Sequence, residues 1–178
     1  GITCQVEIAS EFRYRTVAKS EDALFVTLSQ SGETADTLAA LRKAKTSGFL
    51  ATLTLCNVAT SSIVRESDFS LMLNAGNELG VASTKAFTAQ LVDLLLLALC
   101  LGKRNKQAPS VEREIVDALH NLPSLIKEVL ELDSIISVEA EKFIDKDHSL
   151  FLGRGSLFPI AMEGALKLKE ISYIHAEG

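Results

Sequence analysis

What the sequence has little of narrows it first. Basic residues are outnumbered, 18 Lys and Arg against 23 Asp and Glu, and they form no dense cluster; the net charge is −5. That balance argues against a nucleic-acid surface. There are only three cysteines, Cys4, Cys56 and Cys100, an odd number at unpatterned spacing. They give no disulfide framework and no metal-ligand spacing, and are expected to be buried free thiols in a reducing, cytoplasmic compartment. Gly1 to Ser10 has neither a basic start nor an apolar stretch, so no signal peptide is expected. The most apolar run, Val92 to Leu101, contains Asp93 and falls short of the about 20 residues that cross a bilayer. It reads as a core or subunit-interface helix, and no membrane partner is expected.

What is present is led by Leu24 to Thr34, LFVTLSQSGET. Leu24 to Leu28 is apolar and partly β-branched, the pattern of a buried strand. Ser29, Gln30, Ser31, Gly32, Glu33 and Thr34 follow, and Thr34 to Thr46 has a helical pattern with Leu38 and Leu41 on one face. A hydroxyl-rich turn between a parallel strand and a helix N-terminus suits an anion, because backbone N–H groups and the macrodipole converge there. No lysine follows as in a P-loop, so a small phosphate ester fits better than a nucleoside triphosphate. The plainer reading is that Ser31 or Thr34 caps the helix.

Along the chain, Gln5 to Ala9 reads as a short strand, Leu50 to Cys56 as a buried strand, Ser62 to Glu66 as a short helix and Phe69 to Leu73 as a strand. Strands and helices alternate, so the fold class is α/β, a doubly wound parallel sheet flanked by helices in three α-β-α layers. Asn74 to Ser83 reads as a loop and Thr84 to about Lys103 as a long helix. Val111 to Asn121 and Leu125 to Leu132 read as helices broken at Pro123, followed by a helix at Ile135 to Ile144. Ser149 to Leu152 reads as a strand, then Gly153-Arg154-Gly155, then a helix from about Leu157 to Ala176. The Gly-x-Gly is weak evidence for a dinucleotide, since Phe158 stands where a third glycine belongs. Glu163, Lys167 and Glu170 share one helical face, which by itself reads as a salt-bridged stripe. His120 and His148 read as structural. A histidine such as His175 could in principle serve as an acid–base group, but His175 is not counted among the candidate site residues.

Three stretches carry a resemblance. SQSGETADTL, residues 29–38, resembles the phosphate-binding turn of the sugar isomerase (SIS) domain family. NELGVASTKAFTAQ and EGALKLKEISYIHAE, residues 77–90 and 163–177, resemble the isomerase half of the glucosamine-6-phosphate synthase family, and the likeness extends over essentially the whole chain. The resemblance implies residues 1–105 as a first SIS domain lacking its N-terminal strand and turn. It implies 106–178 as a helical connection and the beginning of a second, so the chain is expected to be part of a longer protein.

The same resemblance implies the chemistry: fructose-6-phosphate and glutamine become glucosamine-6-phosphate and glutamate at the entry to amino-sugar synthesis. Ser29, Gln30, Ser31 and Thr34 are implied as phosphate contacts, Val81 (through its backbone) and Ser83 (through its hydroxyl) as sugar contacts. By chemistry alone Ser83 is an N-cap for the long helix. Glu170 is implied as the proton-transfer base, and Lys167 as lying near the O1/C1 end of the sugar. A carboxylate suits this step because it reaches both carbons from one side, and neither metal nor organic cofactor is expected. The implied partners are the sugar phosphate, a second subunit in a homodimer and an N-terminal glutaminase domain in the parent chain. The ring-opening histidine and carboxyl-terminal lysine of that family have no match here, so the chain alone is expected to be inactive. The alternative is a non-catalytic SIS module that senses a sugar phosphate; it needs the Ser29–Thr34 cradle but no paired base.

Overall fold

A computed structural model describes residues 2–178, in two compact units, Gly1–Arg113 and Glu114–Gly178. In the first, β1 (Leu24–Ser29), β2 (Ala51–Cys56) and β3 (Phe69–Met72) form a parallel sheet in the order β1-β2-β3. The register runs from Leu24 opposite Ala51 to Ser29 opposite Cys56, and from Leu53 opposite Phe69 to Cys56 opposite Met72. The central strand, ATLTLC, is buried along nearly its whole length, as its unbroken run of apolar and threonine side chains requires.

Alternation along the strands sorts the two faces. On one, Leu38 and Leu41 of α2 (Ala35–Thr46) pack with Cys56 and with Ile63 of α3 (Ser62–Glu66). Phe12 of α1 (Ala9–Phe12) joins Ala40 and Ala44 there. On the other, Leu53, Leu55 and Leu73 meet Ala89, Leu94 and Leu97 of α4 (Lys85–Arg104). Helices thus flank both faces of a parallel sheet, the three-layer α/β class expected from the alternation of elements. By length and composition alone α4 could cross a membrane. Here one of its faces is laid on the sheet and Asp93 sits mid-helix, half-buried, where desolvation pushes its carboxyl above the usual range.

The second unit takes in the rest of α5 (Pro109–Leu130), then α6 (Asp133–Ala140), a short 3₁₀ turn at Glu141–Phe143, β4 (His148–Leu150), α7 (Phe158–Ser172) and β5 (His175–Glu177). β4 and β5 pair in parallel, His148 opposite His175.

Four expectations are corrected. Gln5 to Ala9 forms no strand: Val6 and Ile8 alternate but are exposed, and the carbonyl of Ile8 instead accepts from Glu11 and Phe12 to open α1. Pro123 does not break α5, which runs through it. A proline removes one hydrogen bond, here that to the Leu119 carbonyl, and 22 helical residues can absorb the loss. The last helix stops at Ser172, because Tyr173 adopts a left-handed conformation (φ 61°) and the chain turns into β5. Of the three thiols only Cys56 is buried; Cys4 lies outside any strand and Cys100 on the open side of α4.

Candidate active site

The turn after β1 is built around Gly32. Its φ is +68°, and a Cβ there would stand 2.2 Å from Ser61 Oγ and 2.8 Å from Cys56 Sγ. Only glycine fits both the conformation and the space. The Gly32 N–H donates to Ser29 Oγ (2.9 Å), its carbonyl accepts from Ile63 (3.1 Å), and the Glu33 N–H donates to Ser31 Oγ (3.2 Å). Ser29 is buried at the strand end, Gln30 and Ser31 are half-buried, and Thr34 is exposed at the mouth of α2. The four lie within six residues of one turn, 29–34, at the carboxyl edge of the sheet, where open α/β sheets take ligands.

The helix N-termini at this edge differ. Glu33 Oε1 accepts the Ser62 N–H (2.7 Å) at the start of α3, a bond that holds its carboxyl below the usual carboxylate range. Glu78 accepts from the Thr84 hydroxyl (3.1 Å) and the Ala86 N–H (3.2 Å) at the start of α4. Desolvation pushes the Glu78 carboxyl up, but these bonds together draw it down. Those two ends already hold a carboxylate. Thr34, the N-cap of α2, makes no side-chain cap bond. The plainer reading of Thr34 as a side-chain cap is therefore set aside, and a helix start left without a capping side chain is one that can accept an anion.

Beside the turn lies an open groove of about 730 Å³, lined among others by Gln30, Asn57, Asn74, Gly76 and Glu78. Asn57 ties the groove together. Its Nδ2 donates to the Gly76 carbonyl (2.7 Å), its Oδ1 accepts from Ala75 (2.9 Å), and its N–H donates to the Gln30 carbonyl (3.2 Å). The loop so anchored carries Val81, fully exposed, and Ser83, half-buried with its hydroxyl buried and unpartnered among the described residues. Ser83 is not the cap of α4; that position belongs to Thr84, served by Glu78.

In the second unit, Lys167 Nζ is hydrogen-bonded to Glu170 Oε2 and stands 3.6 Å from Glu163 Oε1. These side chains are 23–37% exposed, so the triad is neither dry nor free in solvent. The bond to Glu170, aided by the charge of Glu163, raises the Lys167 pKa, and Lys167 is an ammonium throughout the neutral range.

A family model described as the SIS domain matches residues 1–100. The chain belongs to the SIS domain family. It is 64% identical over 178 residues to the glutamine–fructose-6-phosphate aminotransferase (isomerizing) of Pseudomonas aeruginosa, covering 99% of this chain and 29% of that protein. The chain thus spans under a third of the length of the curated relatives it matches. Among solved structures it superposes on the C-terminal domain of glucosamine-fructose-6-phosphate aminotransferase from Francisella tularensis with a TM-score of 0.95. That pair is 52% identical, covering 99% of this chain and 50% of the other. The glucosamine-6-phosphate deaminase of Thermotoga maritima gives a TM-score of 0.70 at 26% identity, covering 95% of this chain and 49% of that one.

Sequence reasoning missed Asn57 and Glu78. Asn57 is the first residue after β2, so the strand-end rule that singled out Ser29 and Gln30 points to it as well. Glu78 has no such signal, since it caps a helix that begins several residues later.

Proposed function

We propose that this chain is isomerase machinery of a glutamine-dependent aminotransferase that converts fructose-6-phosphate and glutamine to glucosamine-6-phosphate and glutamate. The uncapped N-terminus of α2 carries the proposal, rising from a turn of hydroxyls where the neighbouring α3 and α4 are already served by carboxylates. Ser29, Gln30, Ser31 and Thr34 hold the phosphate, Val81 and Ser83 the sugar. The Glu170 carboxylate takes a proton from C1 of the C2 imine and returns it to C2, while the O1 hydroxyl proton passes to the imine nitrogen, leaving the amino group on C2 and the aldehyde at C1. Lys167, a fixed ammonium, stands near the O1/C1 end and steadies negative charge on the enolamine oxygen. Residues 1–105 are a first SIS domain and 106–178 lead into a second. The parent carries an N-terminal glutaminase domain that supplies ammonia, works in the cytoplasm and pairs as a homodimer. The open leucines of α4, Leu91, Leu95 and Leu96, support that pairing.

The test is calorimetric titration of fructose-6-phosphate into the full-length protein and its Ser31→Ala/Thr34→Ala variant. Each lost bond to the phosphate is expected to cost about 1.5–3 kcal/mol. Unchanged affinity overturns the cradle.

A further inference from the structure

We propose that Asn57 is a positioning residue for the substrate, one that holds the loop bearing Val81 and Ser83 in register with the phosphate turn. The proposal rests on the reading of those two segments as sugar and phosphate contacts.

Asn57 is the first residue after β2, the buried central strand. Up to this point backbone groups make the ladders. The Asn57 N–H donates to the Gln30 carbonyl (3.2 Å), one step past the last β1–β2 pair. The Leu73 N–H donates to the Cys56 carbonyl (3.0 Å), one step past the last β2–β3 pair. The chain then leaves the sheet, because Asn74 and Gly76 take left-handed backbone (φ 51° and 71°). From here the Asn57 side chain continues the pairing. Its Nδ2 donates to the Gly76 carbonyl (2.7 Å) and its Oδ1 accepts from the Ala75 N–H (2.9 Å). A primary amide carries the donor and the acceptor of a peptide group, so it can replace a rung that the departing main chain no longer supplies.

The partners also dictate the residue type. A backbone N–H only donates and a carbonyl only accepts, so the amide has a single orientation. An aspartate would keep the bond from Ala75 but set a carboxylate oxygen against the Gly76 carbonyl. An alanine loses both bonds.

Among the described residues, these two are the only hydrogen bonds that tie residues 75–84 to β1, β2 or the turns that follow them. The loop's other side-chain bonds run between Glu78 and the start of α4, at Thr84 and Ala86. Asn57 therefore touches the phosphate turn through its main chain and the sugar loop through its side chain. A substrate held by both segments is oriented by their relative placement, and a displacement of about 1 Å can cost about 100-fold in rate.

The experiment compares full-length wild type with Asn57→Ala and Asn57→Asp. Turnover is measured, and fructose-6-phosphate and inorganic phosphate are each titrated by calorimetry. In Asn57→Ala, kcat is expected to fall about 10–100-fold and fructose-6-phosphate to bind about 10-fold more weakly, whereas inorganic phosphate, which meets only the first turn, should bind within about 2-fold of wild type. That retained phosphate affinity also shows that the turn is folded. Asn57→Asp lacks the donor to Gly76 and should lose turnover as well; wild-type turnover in this variant overturns the role given to the amide. Equal weakening of both ligands in Asn57→Ala overturns the proposal, since a loss of general structure would do the same. An active wild type with an indistinguishable Asn57→Ala variant overturns this inference alone. A wild type without turnover overturns the reading it rests on, and this inference with it.

Discussion

Two strand–turn–helix units, one in each half of the chain, put their chemistry in different places. In β1–turn–α2 it sits in the turn: Gly32 is pressed against Ser61 and Cys56, the hydroxyls of Ser29 and Ser31 are bonded to backbone N–H groups, and the helix start is open. In β4–turn–α7 the helix start is a 3₁₀ turn, Gly155–Leu157, followed by Pro159, and the charged groups stand on the helix body, at Glu163, Lys167 and Glu170. An anion is held by backbone donors whose positions the fold dictates. A proton is moved by a side chain, which must reach and be steadied by neighbours. On the proposed reading, the same supersecondary order serves binding in one case and base chemistry in the other.

The largest effect that separates the two roles is expected at Glu170. In the full-length protein Glu170→Gln keeps shape and the contact with Lys167 but removes the base. Turnover should fall by about 10²–10⁴-fold with KM for the sugar phosphate nearly unchanged. A KM that rises with kcat preserved would make Glu170 a binding residue and erase the contrast.

Next comes Gly32→Ala. It forces a side chain into a left-handed conformation and into the space of Ser61 Oγ, 2.2 Å from the new Cβ. About 2–4 kcal/mol of stability should be lost, read as a lower midpoint in urea by circular dichroism. The same glycine-to-alanine change at Gly155, which is open to solvent although φ is also positive (+61°), should cost only the conformational part, about 1–2 kcal/mol. Equal losses at the two positions would mean that the close packing of the first turn contributes nothing.

The first unit was the more legible in sequence, for physical reasons. β1, β2, β3, α2 and α3 lie close to where their patterns put them, because each buries a face against a neighbour and the apolar period reports that face. The second unit is thinner. None of the residues of α5 or α6 is buried, so nothing in the packing enforced the break expected at Pro123. The end of α7 is set by the backbone of Tyr173, a residue type that gives no warning of a left-handed turn. Gln5 to Ala9 alternates like a strand but has no ladder to join, and periodicity is silent about partners. Within the site, Ser29 to Thr34 could be named because turn chemistry is local. Asn57 and Glu78 act on residues that only the folded chain brings near them.

The smallest effect concerns the carboxylate that closes α3 and so marks out α2 as the open helix end. Glu33 accepts the Ser62 N–H, and that bond, opposed by partial desolvation, lowers its pKa below the ordinary 4.5. A carboxyl whose folded pKa is depressed stabilises the fold above its unfolded pKa and loses that contribution as pH falls through the folded value. Glu33→Gln retains an oxygen that can accept from Ser62 and removes only the charge. At about pH 7 the variant should therefore melt slightly below wild type, and the gap should close as pH falls through the lowered folded-state pKa of Glu33, below the ordinary 4.5. Asp68 is a control on the same sheet. Its carboxyl is lowered chiefly by the hydroxyl and N–H of Thr52, so wild type and Glu33→Gln alike should keep an acid-sensitive slope from that residue. A gap that persists undiminished into acid would mean that Glu33 acts through packing rather than charge. The distinction between a closed α3 and an open α2 would then rest on shape alone.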